Sequence, residues 1–440
     1  MKKVTTRAYA VLLIAALVIA GMGVYLVRLV RDGGDWATFY ANDSVYTAGQ
    51  LNRGTVTDRN DTLLAYAGQS TFGYADSSDV RRACLHIVGD IDGNIGTGVV
   101  NMFRPEMINY SFLTGTTAKG GTVKLTIDAD VCAAAYNALA GRKGTVLVYN
   151  YKTGDVICMV STPTSDPSVG VDFNLESSDY EGVFINRAIS STFVPGSVFK
   201  LVTMAAAMEN IPDIWDQTFY CDGSTVIGGQ RINCAGVHGT VTVEQGLAVS
   251  CNVVFGELGA QLGGDVISAY ADMYGLTSEH TVNGEIPTAA GSVPSAGNDD
   301  PGNAAWEAIG QYKDLVNPYA LLRFMGAIAN GGTVVEPSIL YGKSVGTEKI
   351  MDAGTAATLS DMMSFDVEYE YGSWSYPGLE MHAKTGTAEV GDGSSHAWFS
   401  GFITNADAPL AFVVMVERGG GGYAVASPIA NTVLQKAVFG

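Results

Sequence analysis

The longest apolar segment of the chain lies near its N-terminus, where residues 8–27 carry no charged side chain. A run of about 20 apolar residues can span a bilayer as one α-helix. Three basic residues precede it, Lys2, Lys3 and Arg7, and they favour a cytoplasmic tail over residues 1–7. The sequence therefore predicts a single transmembrane helix over residues 8–30. Arg28 and Arg31 weaken the charge asymmetry, and a cleavable signal peptide is the alternative.

Beyond this segment, strand-like patterns lie at both ends of the chain and helical patterns lie between them. Short strands are expected around residues 53–66, and longer ones over 144–150, 155–160, 381–390, 397–404 and 411–417. Residues 186–330 are predicted to be mostly helical, and a final helix is expected from about Ile429. This order favours an α+β fold, in which one antiparallel sheet is flanked by helices.

The candidate chemistry begins at Ser197, which follows Pro195 and Gly196 and opens a long apolar stretch. The pattern predicts a buried helix with Ser197 in its first turn and Lys200 one turn later on the same face. A serine hydroxyl becomes an effective nucleophile when a base takes its proton, and a neutral lysine can be that base. Burial and a second cation, for which Lys384 is the candidate, would both lower the pKa of Lys200. Taken alone, the pair is better explained as a helix cap beside a surface lysine.

A second polar motif, Ser250-Cys-Asn252, lies between two apolar runs. Its position suggests a turn at the rim of a cleft. Ser250 could relay a proton between Lys200 and a leaving nitrogen, and Asn252 could fix Lys200 and a substrate amide. An ordinary turn or helix cap is the simpler interpretation.

The third motif, Lys384-Thr-Gly-Thr387, lies in a strand-like stretch. Lys384 offers its charge to a substrate carboxylate, and Thr385 and Thr387 offer hydroxyl groups. Gly386 would let a substrate backbone lie close to the strand. The backbone N–H groups of Ser197 and Thr387 are the predicted oxyanion hole. For the motif taken alone, an exposed edge strand with a glycine bulge is the commoner case.

In this order and context, the three motifs resemble those of class B penicillin-binding proteins, and in particular the compact type often called penicillin-binding protein A. Other segments that fit the resemblance are Arg53–Asn60, Gly121–Asp128, Asn186–Ala188, Ile309–Gln311, Ala329–Gly332 and His396–Phe399. Asp61 stands where the family usually has glycine. The resemblance implies a β-lactamase/transpeptidase-like fold, with a small pedestal module over residues 31–120 and a penicillin-binding transpeptidase domain over residues 121–440.

The resemblance also implies a peptidoglycan D,D-transpeptidase that crosslinks stem peptides through an acyl-enzyme at Ser197 and is acylated by β-lactam antibiotics. It implies a single-pass protein of the bacterial cell membrane, with its catalytic domain on the extracytoplasmic side. A polytopic membrane glycosyltransferase is the expected partner, and no cofactor is expected. A serine β-lactamase or D,D-carboxypeptidase, which passes the acyl group to water, is one alternative. A non-enzymatic β-lactam sensor is the other.

Composition narrows these expectations. The net charge of −19 argues against nucleic-acid binding. The five histidines are scattered and no Cys-x-x-Cys pair occurs, so no metal site is expected. Cys221 and Cys234 flank a glycine-rich hairpin-like segment and are the one pair for which a disulfide is considered. Cys251, inside the second motif, is expected to serve packing.

Overall fold

The computed structural model describes residues 2–38, 54–67, 72–111, 113–115, 120–169 and 177–440. Its helices, in chain order, are α1 Lys2–Thr38, α2 Ser78–Val88, α3 Val99–Met102, α4 Arg104–Ile108, α5 Ala129–Leu139, α6 Arg187–Ser190, α7 Lys200–Asn210, α8 Val243–Ala248, α9 Asn252–Leu262, α10 Gly264–Met273, α11 Pro301–Ala308, α12 Pro318–Ala329, α13 Ala353–Asp366 and α14 Gly422–Phe439.

Its strands are β1 Thr55–Thr57, β2 Leu63–Ala67, β3 Phe72–Tyr74, β4 Thr122–Lys124, β5 Gly144–Asn150, β6 Val156–Thr162, β7 Thr218–Cys221, β8 Ser224–Ile227, β9 Gln230–Asn233, β10 Gly239–Thr242, β11 Thr281–Val282, β12 Ile286–Pro287, β13 Thr333–Val335, β14 Thr347–Lys349, β15 Met381–Glu389, β16 Ser395–Ile403 and β17 Leu410–Val416.

Helix α1 is long and apolar enough to cross a membrane. Within Lys3–Ala37, the most apolar window of 18 residues has a mean hydropathy of 2.7, and none of that window is buried inside the protein. The predicted segment 8–30 lies within this helix. At 37 residues α1 exceeds the length that a bilayer core requires. It also contacts the short helix α4 of the pedestal.

A five-stranded antiparallel sheet, in the order β15-β16-β17-β5-β6, forms the centre of the catalytic region. Helices α5 and α14 pack against each other, α14 packs on β16 and β17, and α12 packs on β5, β16 and β17. Every residue of β17 is buried, which requires cover on both faces of the sheet. The predicted α+β fold is confirmed, and β15 lies at an edge of the sheet.

The middle of the chain differs from the prediction of a mostly helical segment. Between α7 and α8 it forms two small antiparallel pairs, β7 with β10 and β8 with β9. Six glycines between residues 223 and 246 suit the turns that such pairs need, and Gly223, Gly228, Gly229 and Gly239 have positive φ. These strands therefore form a β-rich insertion beside the helices.

The N-terminal module contains a four-stranded sheet in the order β3-β2-β1-β4, in which β1 and β4 run parallel. Strand β4 begins beyond the predicted module boundary at residue 120 and pairs with β1. Asp61, in the turn between β1 and β2, has φ of 66°. That left-handed conformation explains why glycine suits this position. Arg53, which belongs to the predicted signature, lies outside the described residues.

Two aspartates join the N-terminal module to the rest of the protein. One carboxylate oxygen of Asp58 accepts hydrogen bonds from the backbone N–H groups of Asn60 and Thr62, and the other accepts from that of Ala129 at the start of α5. Asp166 forms a bidentate pair with Arg81 of α2, with two N–O distances of 2.7 Å. Because both aspartates are almost fully buried, these contacts fix the joint.

Candidate active site

Ser197 lies on a 3-10 turn, Gly196–Phe199, that leads directly into α7. Gly196 has φ of 56°, and a Cβ atom there would lie 2.7 Å from the carbonyl oxygen of Thr387. The Gly196 N–H donates to the carbonyl oxygen of Gly310 at 2.9 Å. Only glycine satisfies both the backbone conformation and the close approach. The turn therefore holds Ser197 beside β15, as its predicted partnership with Thr387 requires.

Lys200 is fully buried at the start of α7. Its Nζ donates to the carbonyl oxygen of Ser250 at 2.7 Å and to Oδ1 of Asn252 at 2.8 Å, and it lies 3.2 Å from Oγ of Ser250. Ser250 has φ of 54°, a left-handed conformation that is uncommon for serine. The structure thus brings together the first two motifs, as the sequence predicted.

Burial, followed by the positive charge of Lys384, lowers the pKa of Lys200 to about 7. An ammonium group is stabilised by water, so its removal from water favours the neutral amine. Lys200 is therefore substantially neutral near physiological pH, which is the state a general base needs.

Lys384 is also fully buried, on β15. Its Nζ lies 3.2 Å from the carbonyl oxygen of Thr385 and 3.4 Å from the hydroxyl of Tyr371. The Tyr371 hydroxyl also accepts from the Thr385 N–H at 3.1 Å and lies 3.0 Å from the Thr385 hydroxyl. Tyr371 thus organises the Lys384 motif, a role that no sequence pattern indicated.

Asp366, at the end of α13, is a second residue that the sequence analysis missed. Its side chain is fully buried, and both carboxylate oxygens are without a hydrogen-bond partner among the described residues. Burial raises the pKa of Asp366 and lowers that of Lys384, and the attraction between the two opposes both shifts. A buried carboxylate that acts electrostatically on Lys384 stabilises its charged form.

Other segments of the predicted resemblance support the nucleophile turn. A Cβ atom at Gly310 would lie 2.3 Å from the carbonyl oxygen of Gly196, so Gly310 permits contact between the two loops. The indole N–H of Trp398 donates to the carbonyl oxygen of Val194 at 3.0 Å. Gly310 and Trp398 therefore have a structural role, because both contacts fix the loop that precedes Ser197.

The predicted disulfide is not formed. Cys221 and Cys234 are free thiols, and the Cys221 thiol donates to the carbonyl oxygen of Gly236. The sulfur of Cys234 lies instead 3.7 Å from that of Cys251 and 3.6 Å from Nδ1 of His238. The two small strand pairs and the start of α9 bring these side chains together. The sequence analysis expected no metal site and did not anticipate this cluster.

The sequence profile described as "Penicillin binding protein transpeptidase domain" matches residues 144–435, which is more than half of the chain. The chain belongs to this family. The matched segment begins at β5 and ends within α14, so it contains the whole central sheet and all three motifs.

Two curated relatives of this penicillin-binding protein are named peptidoglycan D,D-transpeptidase PbpA. The relative from Mycolicibacterium smegmatis is 29% identical over 368 residues, which cover 74% of each chain. The relative from Mycobacterium tuberculosis is 29% identical over 375 residues, which cover 75% of each chain. The prediction of a class B penicillin-binding protein, a serine-type D,D-transpeptidase of cell-wall synthesis, is confirmed.

Solved structures agree with this assignment. The D,D-transpeptidase domain of a peptidoglycan glycosyltransferase from Eggerthella lenta is 25% identical, with a TM-score of 0.76, covering 89% of this chain and 99% of that one. The penicillin G acyl-enzyme complex of penicillin-binding protein A from M. tuberculosis is 25% identical, with a TM-score of 0.73, covering 88% of this chain and 100% of that one.

Proposed function

We propose that Ser197 is the acyl-carrying nucleophile and that Lys200 is its general base. The observation that carries this proposal is the bonding of the Lys200 amine. A neutral amine has two N–H groups, and the oxygens of Ser250 and Asn252 at 2.7 and 2.8 Å accept both. Its lone pair then remains to accept the proton of a hydroxyl group.

In the proposed reaction, Ser197 Oγ attacks the carbonyl carbon of the penultimate D-alanine of a stem peptide, and its proton passes to Lys200. The backbone N–H groups of Ser197 and Thr387 stabilise the oxyanion. The C–N bond then breaks, and Ser250 relays the proton from Lys200 to the departing D-alanine. The ester at Ser197 is attacked by an amine of a neighbouring stem peptide, whose proton returns through Lys200 to Ser197.

The remaining motif binds the donor peptide. Lys384 faces the terminal carboxylate, with Asp366 stabilising its charged form and Tyr371 fixing the strand. Thr385 and Thr387 donate hydroxyl groups. Gly386, predicted to let a substrate backbone approach, instead lets β15 pack against the nucleophile turn, since a Cβ atom there would lie 3.0 Å from the carbonyl oxygen of Pro195. A β-lactam presents a comparable carboxylate beside a reactive amide, so it acylates Ser197 and blocks the site.

The experiment that tests this function is a competition between water and an amine for the acyl group. Purified protein is incubated with a stem-peptide donor and an acceptor amine, and both products are quantified by mass spectrometry. A crosslinked product in excess over the hydrolysed donor supports the transpeptidase. Hydrolysis alone indicates a carboxypeptidase, rapid β-lactam turnover indicates a β-lactamase, and acylation without either product indicates a sensor.

We also propose that α1 anchors the protein in the bacterial cell membrane, with a cytoplasmic tail at residues 1–7 and the catalytic domain on the extracytoplasmic side. Residues 31–120, together with β4, form the pedestal, and residues 125–440 form the transpeptidase domain. A polytopic membrane glycosyltransferase is the proposed partner for α1 and the pedestal. The support is positional, because α1 and the pedestal lie outside the catalytic motifs and contact each other through α4.

Arg59 provides the test of that partner surface. Its backbone N–H donates to Ile127, and its guanidinium lies 3.6 Å from Asp155, so it also belongs to the joint between the modules. Arg59→Ala is compared with wild type for melting temperature and for co-purification of membrane glycosyltransferases. Lost co-purification with an unchanged melting temperature supports a partner contact. A lowered melting temperature with intact co-purification assigns Arg59 to the joint alone.

A further inference from the structure

Four donor side chains meet at one point beside the second motif. Cys221 ends β7, Cys234 follows β9, His238 precedes β10 and Cys251 caps the start of α9. Their ligand atoms, three sulfurs and one ring nitrogen, all lie within 4.8 Å of one another. Cys221 and Cys251 are buried and the other two are half-buried, so the cluster is largely shielded from solvent.

Two of the separations between these donors match the edges of a tetrahedron around a metal ion, and the remaining ones are at most 4.8 Å. Zinc–sulfur bonds of about 2.3 Å place two sulfurs about 3.8 Å apart, and a sulfur and a ring nitrogen about 3.6 Å apart. The observed separations from Cys234 Sγ are 3.7 Å to Cys251 Sγ and 3.6 Å to His238 Nδ1. A disulfide would require about 2.05 Å.

The backbone holds the donors in place without a metal. Three backbone hydrogen bonds fix them. The N–H of Cys234 donates to the carbonyl oxygen of Gly223 at 2.9 Å, and the N–H of His238 to that of Cys221 at 3.1 Å. The N–H of Cys251 donates to the carbonyl oxygen of Gly246 at 2.8 Å. The backbone N–H of Asn252 lies 3.2 Å from Cys234 Sγ and donates to it. A hydrogen bond of this kind stabilises negative charge on a metal-bound sulfur.

We infer that Cys221, Cys234, His238 and Cys251 bind one Zn²⁺ ion in a structural site. Binding releases three thiol protons to solvent and uses the neutral imidazole, so the loaded site has a net charge of about −1. The protein supplies all four ligands, which leaves no position for substrate and is typical of structural zinc.

The consequence of such a site is local order at the catalytic centre. It would tie the β7–β10 insertion to the start of α9, where Asn252 accepts from Lys200. The Asn252 amide also donates to the carbonyl oxygen of Asn233 at 2.8 Å, directly before Cys234. Zinc therefore positions the residue that holds the general base, without contact with the substrate.

The test uses the full-length chain in detergent. Zinc is quantified by mass spectrometry after dialysis against metal-free buffer. Native samples are titrated with a thiol reagent with and without a chelator, and denatured samples with and without a reductant. We expect about one zinc per chain, and cluster thiols that are protected in the native protein until a chelator is added. Cobalt in place of zinc should give the intense visible bands of a tetrahedral thiolate site.

His238→Ala and Cys234→Ser should each weaken zinc binding by at least tenfold, because loss of a mere outer-shell partner already costs about 10- to 100-fold. Cys84→Ala, which removes a buried thiol outside the cluster, should keep the zinc. The cobalt spectrum of the wild type provides a result that does not depend on whether a variant folds. Absence of zinc with no cobalt bands overturns the proposal, as does a disulfide that only a reductant opens.

Discussion

Acylation by a penicillin should rise with pH through a single step near pH 7, because Lys200 must be neutral to accept the Ser197 proton. The pKa of Lys200 falls from its ordinary 10.5 to about 7. The lower pKa corresponds to about 5 kcal/mol in favour of the neutral amine. At pH 7 about half of the protein then has the base form, against about one molecule in 3,000 for an unperturbed lysine.

The assay is the second-order rate constant of labelling by a fluorescent penicillin between pH 5.5 and 9. The rate should increase about tenfold per pH unit below the step and reach a plateau just above it. It should decline again towards pH 9, because burial lowers the pKa of Lys384 to about 8 and the charge that binds the substrate carboxylate is then lost. A rate that is flat across this range, or that is still rising tenfold per pH unit at pH 9, would refute the assignment of Lys200 as a base with a lowered pKa.

A variant of Lys384 separates the causes of the lowered pKa of Lys200. Burial is the largest cause and Lys384 the next, whereas negative charge at Cys234, Cys251 or Asp366 acts in the opposite direction. Lys384→Met should therefore move the step to higher pH while leaving it below 10.5, and it should also lower the plateau by weakening carboxylate binding. Lys349→Met, at the exposed end of β14, is the matched control and should leave the pH profile unchanged. An unmoved step in Lys384→Met would show that its charge does not act on the base.

Three further outcomes are expected. Ser197→Ala should fold with an unchanged melting temperature but lose all covalent penicillin labelling, and any retained labelling would assign the nucleophile elsewhere. Arg81→Ala should lower the free energy of unfolding by about 3 kcal/mol, because it leaves the carboxylate of Asp166 buried without its cation. Arg81 holds the pKa of Asp166 below its usual range, so the stability difference between wild type and variant should fade as pH drops below about 4. A difference that does not depend on pH would contradict this. A variant without residues 1–32 should be soluble and still label with penicillin but fail to restore wall growth in cells, and full restoration would dismiss the anchor.

Much of the catalytic centre could be predicted because its chemistry is concentrated in short motifs. The sequence order of Ser197, Lys200 and Lys384 indicated which residues would meet. The structure buries Lys200 as expected, and it buries Lys384 as well, which was not predicted. Asp366 and Tyr371 were missed, since they act on Lys384 from another helix and lie in no motif. Their contacts arise only from the packing of α13 and the following turn against β15.

The central strands were predicted well because each is a short apolar run between turn residues. The prediction for 144–150 coincides with β5, and those for β15, β16 and β17 differ from the structure by one or two residues at their ends. The last helix begins at Gly422 and not near Ile429. Its first turns contain glycine and Pro428, which local propensity places outside a helix, and tertiary packing on β16 and β17 overrides that preference.

The cysteine cluster was missed for a different reason. Zinc sites are recognised in sequence by pairs of ligands a few residues apart, and here only Cys234 and His238 are close, with three residues between them. Cys221 arrives through strand pairing, since Gly239 lies opposite it in the β7–β10 pair, and Cys251 arrives at the start of α9. A pairing pattern of this kind cannot be read from spacing alone.

The strand order of the central sheet also governs when the chain can finish folding. Strand β5 pairs with β17, so that Asn150 lies opposite Leu410, 260 residues later. Until the C-terminal segment is available, β5 and β6 form an isolated apolar hairpin with an unpaired edge, which is a template for aggregation. Contacts between such distant segments make folding slow. A ribosome that stops anywhere before β17 therefore releases a chain whose central sheet cannot close.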